Sequence, residues 1–194
     1  MQMILASTNR GKYAELKDKL APMGIDLLFG GDFDAPLNIE ETGSTYEENA
    51  ELKARAWVKA TGTAAMADDS GLEVDALGGK PGIHSARAVS GSDADRVNWL
   101  LKSLNGKTDR SARFACAIVV IFASGKKISA TEYCNGKIAL SPAGTGGFGY
   151  DPIFIPDGYD KTFAQIGSDI KNKISHRAKA VKTITQIIKS VVQF

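Results

Sequence analysis

Residues 112–134 read ARFACAIVVIFASGKKISATEYC, and their patterning sets the fold class. Residues 112–123 form a nearly continuous apolar run rich in Ile and Val, which predicts a central strand buried on both faces. Ser124 and Gly125 supply a turn, residues 127–134 read as the antiparallel partner, and residues 136–140 can continue the sheet. Toward the N-terminus, strand and helix signals alternate. Residues 3–6 read as a strand, residues 12–20 as a helix with Tyr13, Leu16 and Leu20 on one face, and residues 25–29 as a second strand. Thr45-x-x-Glu48 is a capping box opening a helix to about residue 60, with Tyr46, Ala50 and Trp57 inward and Lys53 on the same stripe. Residues 64–67 read as a short strand ending in a turn at Asp68-Asp69-Ser70-Gly71. An irregular stretch over 78–87 precedes a helix opened by Ser92-x-x-Asp95, with Val97, Leu100, Leu101 and Leu104 inward. A glycine-rich loop over 142–151 and a final helix over about 175–192, with Val181, Ile184, Ile188 and Val191 on one face, complete the chain. Early alternation plus a central hairpin predicts an α/β fold with a long mixed β-sheet flanked by helices, and argues against a doubly wound Rossmann sheet.

Composition narrows the function. The 194 residues carry Lys+Arg 24 against Asp+Glu 22, a net charge of +2, which argues against a duplex-coating protein and against an acidic solvating tail. A hydrophobic fraction of 43% is enough for an ordinary core. Cys116 and Cys134 lack metal-ligand spacing and read as reduced structural residues of a cytoplasmic protein. The longest apolar run, residues 114–123, is too short to span a bilayer, and the N-terminus carries no secretory pattern. The expectation is a single domain over 1–194, with neither nucleic acid nor membrane as partner.

Several clusters carry chemistry. Glu40-Glu41 and Asp68-Asp69 are adjacent carboxylates that repel unless a cation joins them. Mg²⁺ suits such oxygen donors, since it takes one or two carboxylates together with substrate phosphates. A solvated turn is the alternative for either pair. Ser7-Thr8-Asn9-Arg10-Gly11-Lys12 stands at a strand-to-helix junction, where hydroxyls, free amides and a lysine suit an anion. Its spacing is not that of a Walker A loop, and a simple helix cap is the competing explanation. With Lys53 it makes a triphosphate cradle. In residues 144–151, Phe148 or Tyr150 can stack on a base while exposed amides bond its edge. Folding of these aromatics into the core is the other possibility. His176 and Arg177 begin the last helix, unfavourable for cations unless they face an acceptor such as a carbonyl. His84 reads as a packed loop histidine.

Taken in order, these motifs resemble the inosine/xanthosine triphosphate pyrophosphatase family. The residues that carry the likeness are Ser7-Thr8-Asn9-x-x-Lys12, Glu40-Glu41-Thr42-Gly43, Glu48-Asn49-Ala50-x-x-Lys53-Ala54 and Ala67-Asp68-Asp69-Ser70-Gly71-Leu72. They continue with Ala76-Leu77-Gly78-Gly79-x-Pro81-Gly82, Ser85-Ala86-Arg87, Gly146-Gly147-Phe148-Gly149-Tyr150-Asp151-Pro152 and Ser175-His176-Arg177. The chain departs at position 84, where His stands and the family more often has Tyr.

The resemblance implies a two-lobed fold with its active site in the cleft, a homodimer, and Mg²⁺-dependent hydrolysis of ITP, dITP and XTP to monophosphate and pyrophosphate. Carried over by motif, Asp69 is the general base, and Glu40 and Asp69 lie near the metal. Ser7, Thr8, Asn9, Arg10, Gly11, Lys12 and Lys53 hold phosphates. Ser70, Phe148, Gly149, Tyr150, Asp151, Lys171, His176 and Arg177 hold the nucleoside. Three rivals remain: a Maf-like pyrophosphatase acting on pyrimidine or other modified nucleotides, a non-catalytic nucleotide- or RNA-binding module, and a plain metal-binding structural domain, which leaves Lys12, Lys53 and Arg177 unexplained.

Overall fold

In the computed structural model, which describes residues 1–33, 37 and 39–191, the central hairpin is the longest strand pair. Strand β4 (Ser111–Ile121) turns at Ser124-Gly125, where Phe122 N donates to Lys126 O at 2.9 Å, and returns as β5 (Lys127–Ile138). The other strands are β1 (Gln2–Leu5), β2 (Asp26–Phe29), β3 (Ala65–Val74) and β6 (Phe154–Pro156). Helices α1 (Arg10–Leu20), α2 (Tyr46–Thr61), α3 (Asp93–Ser103), α4 (Phe163–Ile166), α5 (Ser168–Ile174) and α6 (His176–Val191) surround them. The sheet order is β2-β1-β3-β4-β5-β6. Strand β1 runs parallel to β2, with Met3 opposite Leu27, and parallel to β3, with Ile4 opposite Ala65. Strand β6 runs antiparallel to β5, with Ile138 opposite Phe154, so the sheet is mixed as expected.

The chain divides into two units. Unit 1 comprises Met1–Asp69, Cys116–Thr131 and Ala180–Phe194, and unit 2 comprises Ser70–Ala115 and Glu132–Lys179. In unit 1 the strand period of two sorts side chains onto opposite faces. Met3, Leu5, Met66, Ile118 and Val120 join Leu16, Leu20, Ile184 and Ile188 in one cluster, so α1 and α6 cover that face. Their neighbours Ile4, Ala65, Ala67, Val119 and Ile121 join Ala50, Ala54 and Trp57 of α2 in the other. Both faces of β4 are therefore apolar here, which is why its sequence does not alternate. Unit 2 gathers one cluster from Leu72, Val74, Val97, Leu100, Phe114, Ile138, Phe154 and Phe163. Phe114 and Phe154 stand 4.6 Å apart at 60°, a tilted geometry that suits the ring quadrupoles.

The structure corrects three local expectations. Asp68-Asp69-Ser70-Gly71 is not a turn; β3 runs through it for ten residues. Low strand propensity is overridden because interior pairing holds the backbone extended and polar partners satisfy the buried carboxylates. His84 is exposed, and the buried side chain of its turn is Ser85, whose Oγ accepts from Leu72 N at 2.8 Å and donates to Gly82 O at 2.6 Å. At α2 the capping box is half formed. Thr45 Oγ1 accepts from Glu48 N at 3.1 Å, but the Glu48 carboxylate reaches Ser44 N at 2.7 Å instead of the cap residue. The box at α3 is complete.

Candidate active site

The parallel strand β1 ends at Leu5, and the chain crosses into α1 through Ser7, Thr8 and Asn9. Asn9 is the helix cap, its Oδ1 accepting from Lys12 N at 3.1 Å. That cap aims the Lys12 side chain back across the strand ends. There Lys12 Nζ lies 2.9 Å from Asp68 Oδ1 and 2.8 Å from Asp68 Oδ2. Lys53, from α2, donates to Glu41 Oε1 at 2.7 Å and to Asp68 O at 2.8 Å, and stands 3.9 Å from Asp69 Oδ1. Asp69 Oδ2 accepts from Asn49 Nδ2 at 3.1 Å, while Asn49 Oδ1 takes Gly43 N at 2.8 Å. Gly43 is required by close approach: a Cβ there would come within 2.7 Å of Glu48 Cβ and 2.8 Å of Asn49 Oδ1. A cavity of about 230 Å³ opens in unit 1, lined by Ser7, Thr8, Lys12, Lys53, Trp57 and Asp68 among others.

Four of the seven expected phosphate ligands thus line one cavity. The other three do not. Asn9 serves the helix cap, Gly11 follows it, and Arg10 pairs with Asp32 at 2.7 Å on an exposed surface. Of the expected metal ligands, Asp69 is buried beside Lys53 and Asn49, whereas Glu40 is exposed and its neighbour Glu41 makes the contact with Lys53. Among the described residues, no group of three or more His, Cys, Asp and Glu is gathered to hold a metal unaided.

Unit 2 holds a second cavity, of about 160 Å³. Ser70, Phe148, Gly149, Tyr150, Asp151, Lys171, His176 and Arg177 all line it, so every expected nucleoside ligand converges there. Ser175 Oγ accepts from Ala178 N at 3.2 Å, setting the start of α6 and with it the direction of His176 and Arg177. The His176 ring stacks on Phe114 at 4.7 Å and 13°. Arg177 Nη2 meets Ser70 Oγ at 3.3 Å, giving this N-terminal cation the acceptor that its position demanded. Lys171 pairs with Asp151 and sits 4.5 Å from the Phe148 ring centroid, while Lys173 is exposed.

The two aromatics of the glycine-rich loop divide their roles. Phe148 is 53% exposed over the cavity. Tyr150 folds inward, its hydroxyl donating to Ser85 O at 3.1 Å, and burial pushes its phenol up to about 12. The loop amides differ from expectation: Phe148 N is taken by Asp151 Oδ2 at 2.9 Å and Gly149 N by Asp93 Oδ2 at 2.6 Å. The Arg96 guanidinium, with the Gly149 amide, holds the Asp93 carboxyl below the usual range.

Sequence reasoning missed Asn49, Asp93 and Arg96. A buried Asn on the α2 stripe four residues before Lys53 was a usable signal. Asp93 and Arg96 gave none, because a helix start beginning with Ser92 already accounts for an acidic residue there, and Arg96 stands at the ordinary i,i+3 spacing of a helical ion pair with it.

A polar cavity with two ammonium groups facing carboxylates suits a polyphosphate and its counter-cation. An exposed ring flanked by cations suits a flat base that carries carbonyl oxygens. Comparison with known proteins agrees with that chemistry. Residues 3–187 match the model of the Ham1 family. The dITP/XTP pyrophosphatase of Bacillus licheniformis is 44% identical over 191 residues, covering 96% of this chain and 97% of that protein. That of Bacillus subtilis is 44% identical over 193 residues, covering 97% and 98%. The solved structure of the Staphylococcus aureus Ham1 protein matches with a TM-score of 0.91 at 38% identity, over 98% of this chain and 99% of that one.

Proposed function

The chain belongs to the Ham1 family, and we propose that it clears non-standard purine nucleotides by hydrolysing ITP, dITP and XTP to the monophosphate and pyrophosphate. The observation that carries this reading is the ion-pair set of the unit 1 cavity, two lysines against Glu41, Asp68 and Asp69. Such a set can exchange partners, lysines to a polyphosphate and carboxylates to a divalent cation.

In this reading Lys12, Lys53, Ser7 and Thr8 hold the β- and γ-phosphates, which leave together as pyrophosphate. Asp69 takes the proton of the water that attacks the α-phosphorus. Asn49 fixes the Asp69 carboxylate by donating to its Oδ2. Ser70, the next residue along β3, belongs with the nucleoside pocket. Phe148 stacks on the base, and Lys171, His176 and Arg177 supply donors to carbonyl oxygens. Adenine carries a donor at position 6, so those groups are left unpaired against it.

The carboxylates fit Mg²⁺, which needs one or two of them when phosphate oxygens complete its shell. Asp69 and Glu40 are the proposed ligands, with Glu41 and Asp68 adjoining. When bound, Mg²⁺ neutralises phosphate charge and orients the polyphosphate.

Both units are built from separated stretches of chain, which supports treating residues 1–194 as a single functional domain. Cys116 and Cys134 are buried and form no disulfide among the described residues, which supports a reducing, cytoplasmic setting. Among the described residues no helix is long and apolar enough to cross a membrane. A homodimer is the proposed assembly, tested by a sedimentation mass twice the 20.6 kDa of one chain. The functional test is pyrophosphate release from ITP, dITP, XTP, ATP and GTP, with Mg²⁺ and with chelator. Fast release from the first three, abolished by chelator, is expected. No release from any of them overturns the reading.

A further inference from the structure

We propose that Asp93 is a positioning residue for the nucleoside, holding the Phe148 ring in place through the Gly149 amide. The inference rests on the unit 2 cavity being the nucleoside pocket. Asp93 is the first residue of α3, yet the helix does not need it as a cap. Ser92 performs that task together with Asp95: Ser92 Oγ accepts from Asp95 N at 3.3 Å, and the Asp95 carboxylate accepts from Ser92 N at 2.8 Å. The Asp93 carboxylate instead joins its own helix to the glycine-rich loop. Its Oδ2 accepts from Gly149 N at 2.6 Å, across 56 residues of sequence, and its Oδ1 meets the Arg96 guanidinium. Arg96 is in turn fixed by donating to Gly91 O at 3.0 Å. Both Asp93 and Arg96 line the cavity.

The far end of this clasp is the residue that follows Phe148. Gly149 has φ +62°, and a Cβ there would meet nothing within 4 Å. Glycine therefore serves backbone direction at this point, not space. A glycine-rich segment that carries a half-exposed ring wanders unless it is tied, and ordering it on binding weakens affinity. Three ties hold it. Phe148 N bonds Asp151 within the loop, the Tyr150 hydroxyl bonds Ser85 O, and Gly149 N bonds Asp93. The first is local. The tie to Asp93 anchors the loop to a helix and comes next to the ring itself. So held, the Phe148 ring stands 4.5 Å from Lys171 Nζ and 5.7 Å from Arg177 Cζ, a preformed shelf for a base.

The test is calorimetric titration of the full chain with IMP, and separately with inorganic tripolyphosphate plus Mg²⁺, for wild type, Asp93→Ala and Asp93→Asn. Asp93→Ala is expected to weaken IMP roughly tenfold, as one charge-assisted bond is lost and partly replaced by water. Tripolyphosphate affinity should stay within about twofold, since it engages other residues. Asp93→Asn keeps an acceptor for Gly149 N and should recover IMP affinity to within roughly threefold of wild type, a neutral bond replacing a charged one. With ITP, Asp93→Ala should raise KM while kcat holds. Equal IMP binding by wild type and Asp93→Ala overturns the proposal. So does an Asn variant no better than Ala, or equal loss of both ligands, which marks general damage. If wild type itself fails to bind IMP, the nucleoside pocket is misassigned and the proposal falls with it.

Discussion

Lys12 and Asp68 meet in unit 1 with Nζ 2.8 Å from Oδ2, although 56 residues separate them in sequence. Asp68 is buried, so its carboxylate has little water to replace that partner. Removing one member of a buried pair typically costs about 3–5 kcal/mol, because the other charge is stranded. Lys12 keeps some solvent contact, so Lys12→Met is expected to destabilise by about 2 kcal/mol, below that range. The same variant removes the ammonium that competes with a cation at Asp68. Saturating Mg²⁺ should therefore raise its melting temperature by more than it raises that of wild type. Calorimetric melts with and without Mg²⁺ check this, and equal shifts would mean that Lys12 does not guard the carboxylate.

Asp69 differs from Asp68 in its partners. Its Oδ2 takes a neutral amide, Asn49 Nδ2 at 3.1 Å, and Lys53 stands off Oδ1 by 3.9 Å. Asp69→Asn can keep a hydrogen bond to Asn49 while losing the ability to accept a proton. Turnover on ITP should fall by roughly 10²–10⁴, with the melting point little changed. A variant that retains wild-type kcat would remove Asp69 from the role of base.

These two carboxylates show how far the sequence could be read. Their need for positive partners was legible, because adjacent acids repel, and Lys12 and Lys53 stand beside them. Their conformation was not, since Asp-Asp-Ser-Gly has turn composition and its extended form comes from its place inside the ten-residue β3, an interior strand of the sheet. The same division holds elsewhere. Periodicity gave β4, α3 and the apolar face of α6. It could not give β6, three residues whose pairing with β5 is wholly non-local, or the short α4 and α5. Among site residues, motif order found those with distinctive chemistry, such as His176 and Lys171. Asp93 stayed hidden because its partner, the Gly149 amide, belongs to the backbone and leaves no mark in a side-chain pattern.

The stacking of His176 on Phe114 at 4.7 Å fixes the ring plane before any ligand arrives. A fixed donor discriminates between a carbonyl and an amino group more sharply than a mobile one. His176→Ala should lower kcat/KM for ITP far more than for ATP. The ITP/ATP ratio should drop by one or more factors of ten, within the roughly 10⁴ that a missing hydrogen bond at a buried site can command. His176→Phe keeps the stack on Phe114 without the donor and should show the same loss of ratio. Parallel steady-state kinetics on the two nucleotides decide it, and an unchanged ratio in both variants would take His176 out of base selection.

Tyr150 ties the same loop from inside, and its ionisation gives an alkaline signature. Burial raises the phenol to about 12 from an ordinary value near 10, so the folded state resists losing that proton. Below about pH 10 both states carry it, and stability does not depend on pH through this group. Between about 10 and 12 the unfolded chain releases the proton and the folded chain does not, so stability falls with rising pH, by about 1.4 kcal/mol per pH unit at most. The Cys134 thiol, pushed up to about 11 by burial, adds a slope of the same sign that begins lower, from about pH 9. Tyr150→Phe should lose about 1 kcal/mol at pH 8, where the bond to Ser85 O is missing. Above pH 10 it should close the gap and then pass wild type, because only the Cys134 contribution remains. Urea unfolding of both proteins from pH 8 to 11 would show the two stability curves converging. Parallel curves would mean that the hydroxyl is not buried against Ser85 in solution, and that the loop carrying Phe148 is held without it.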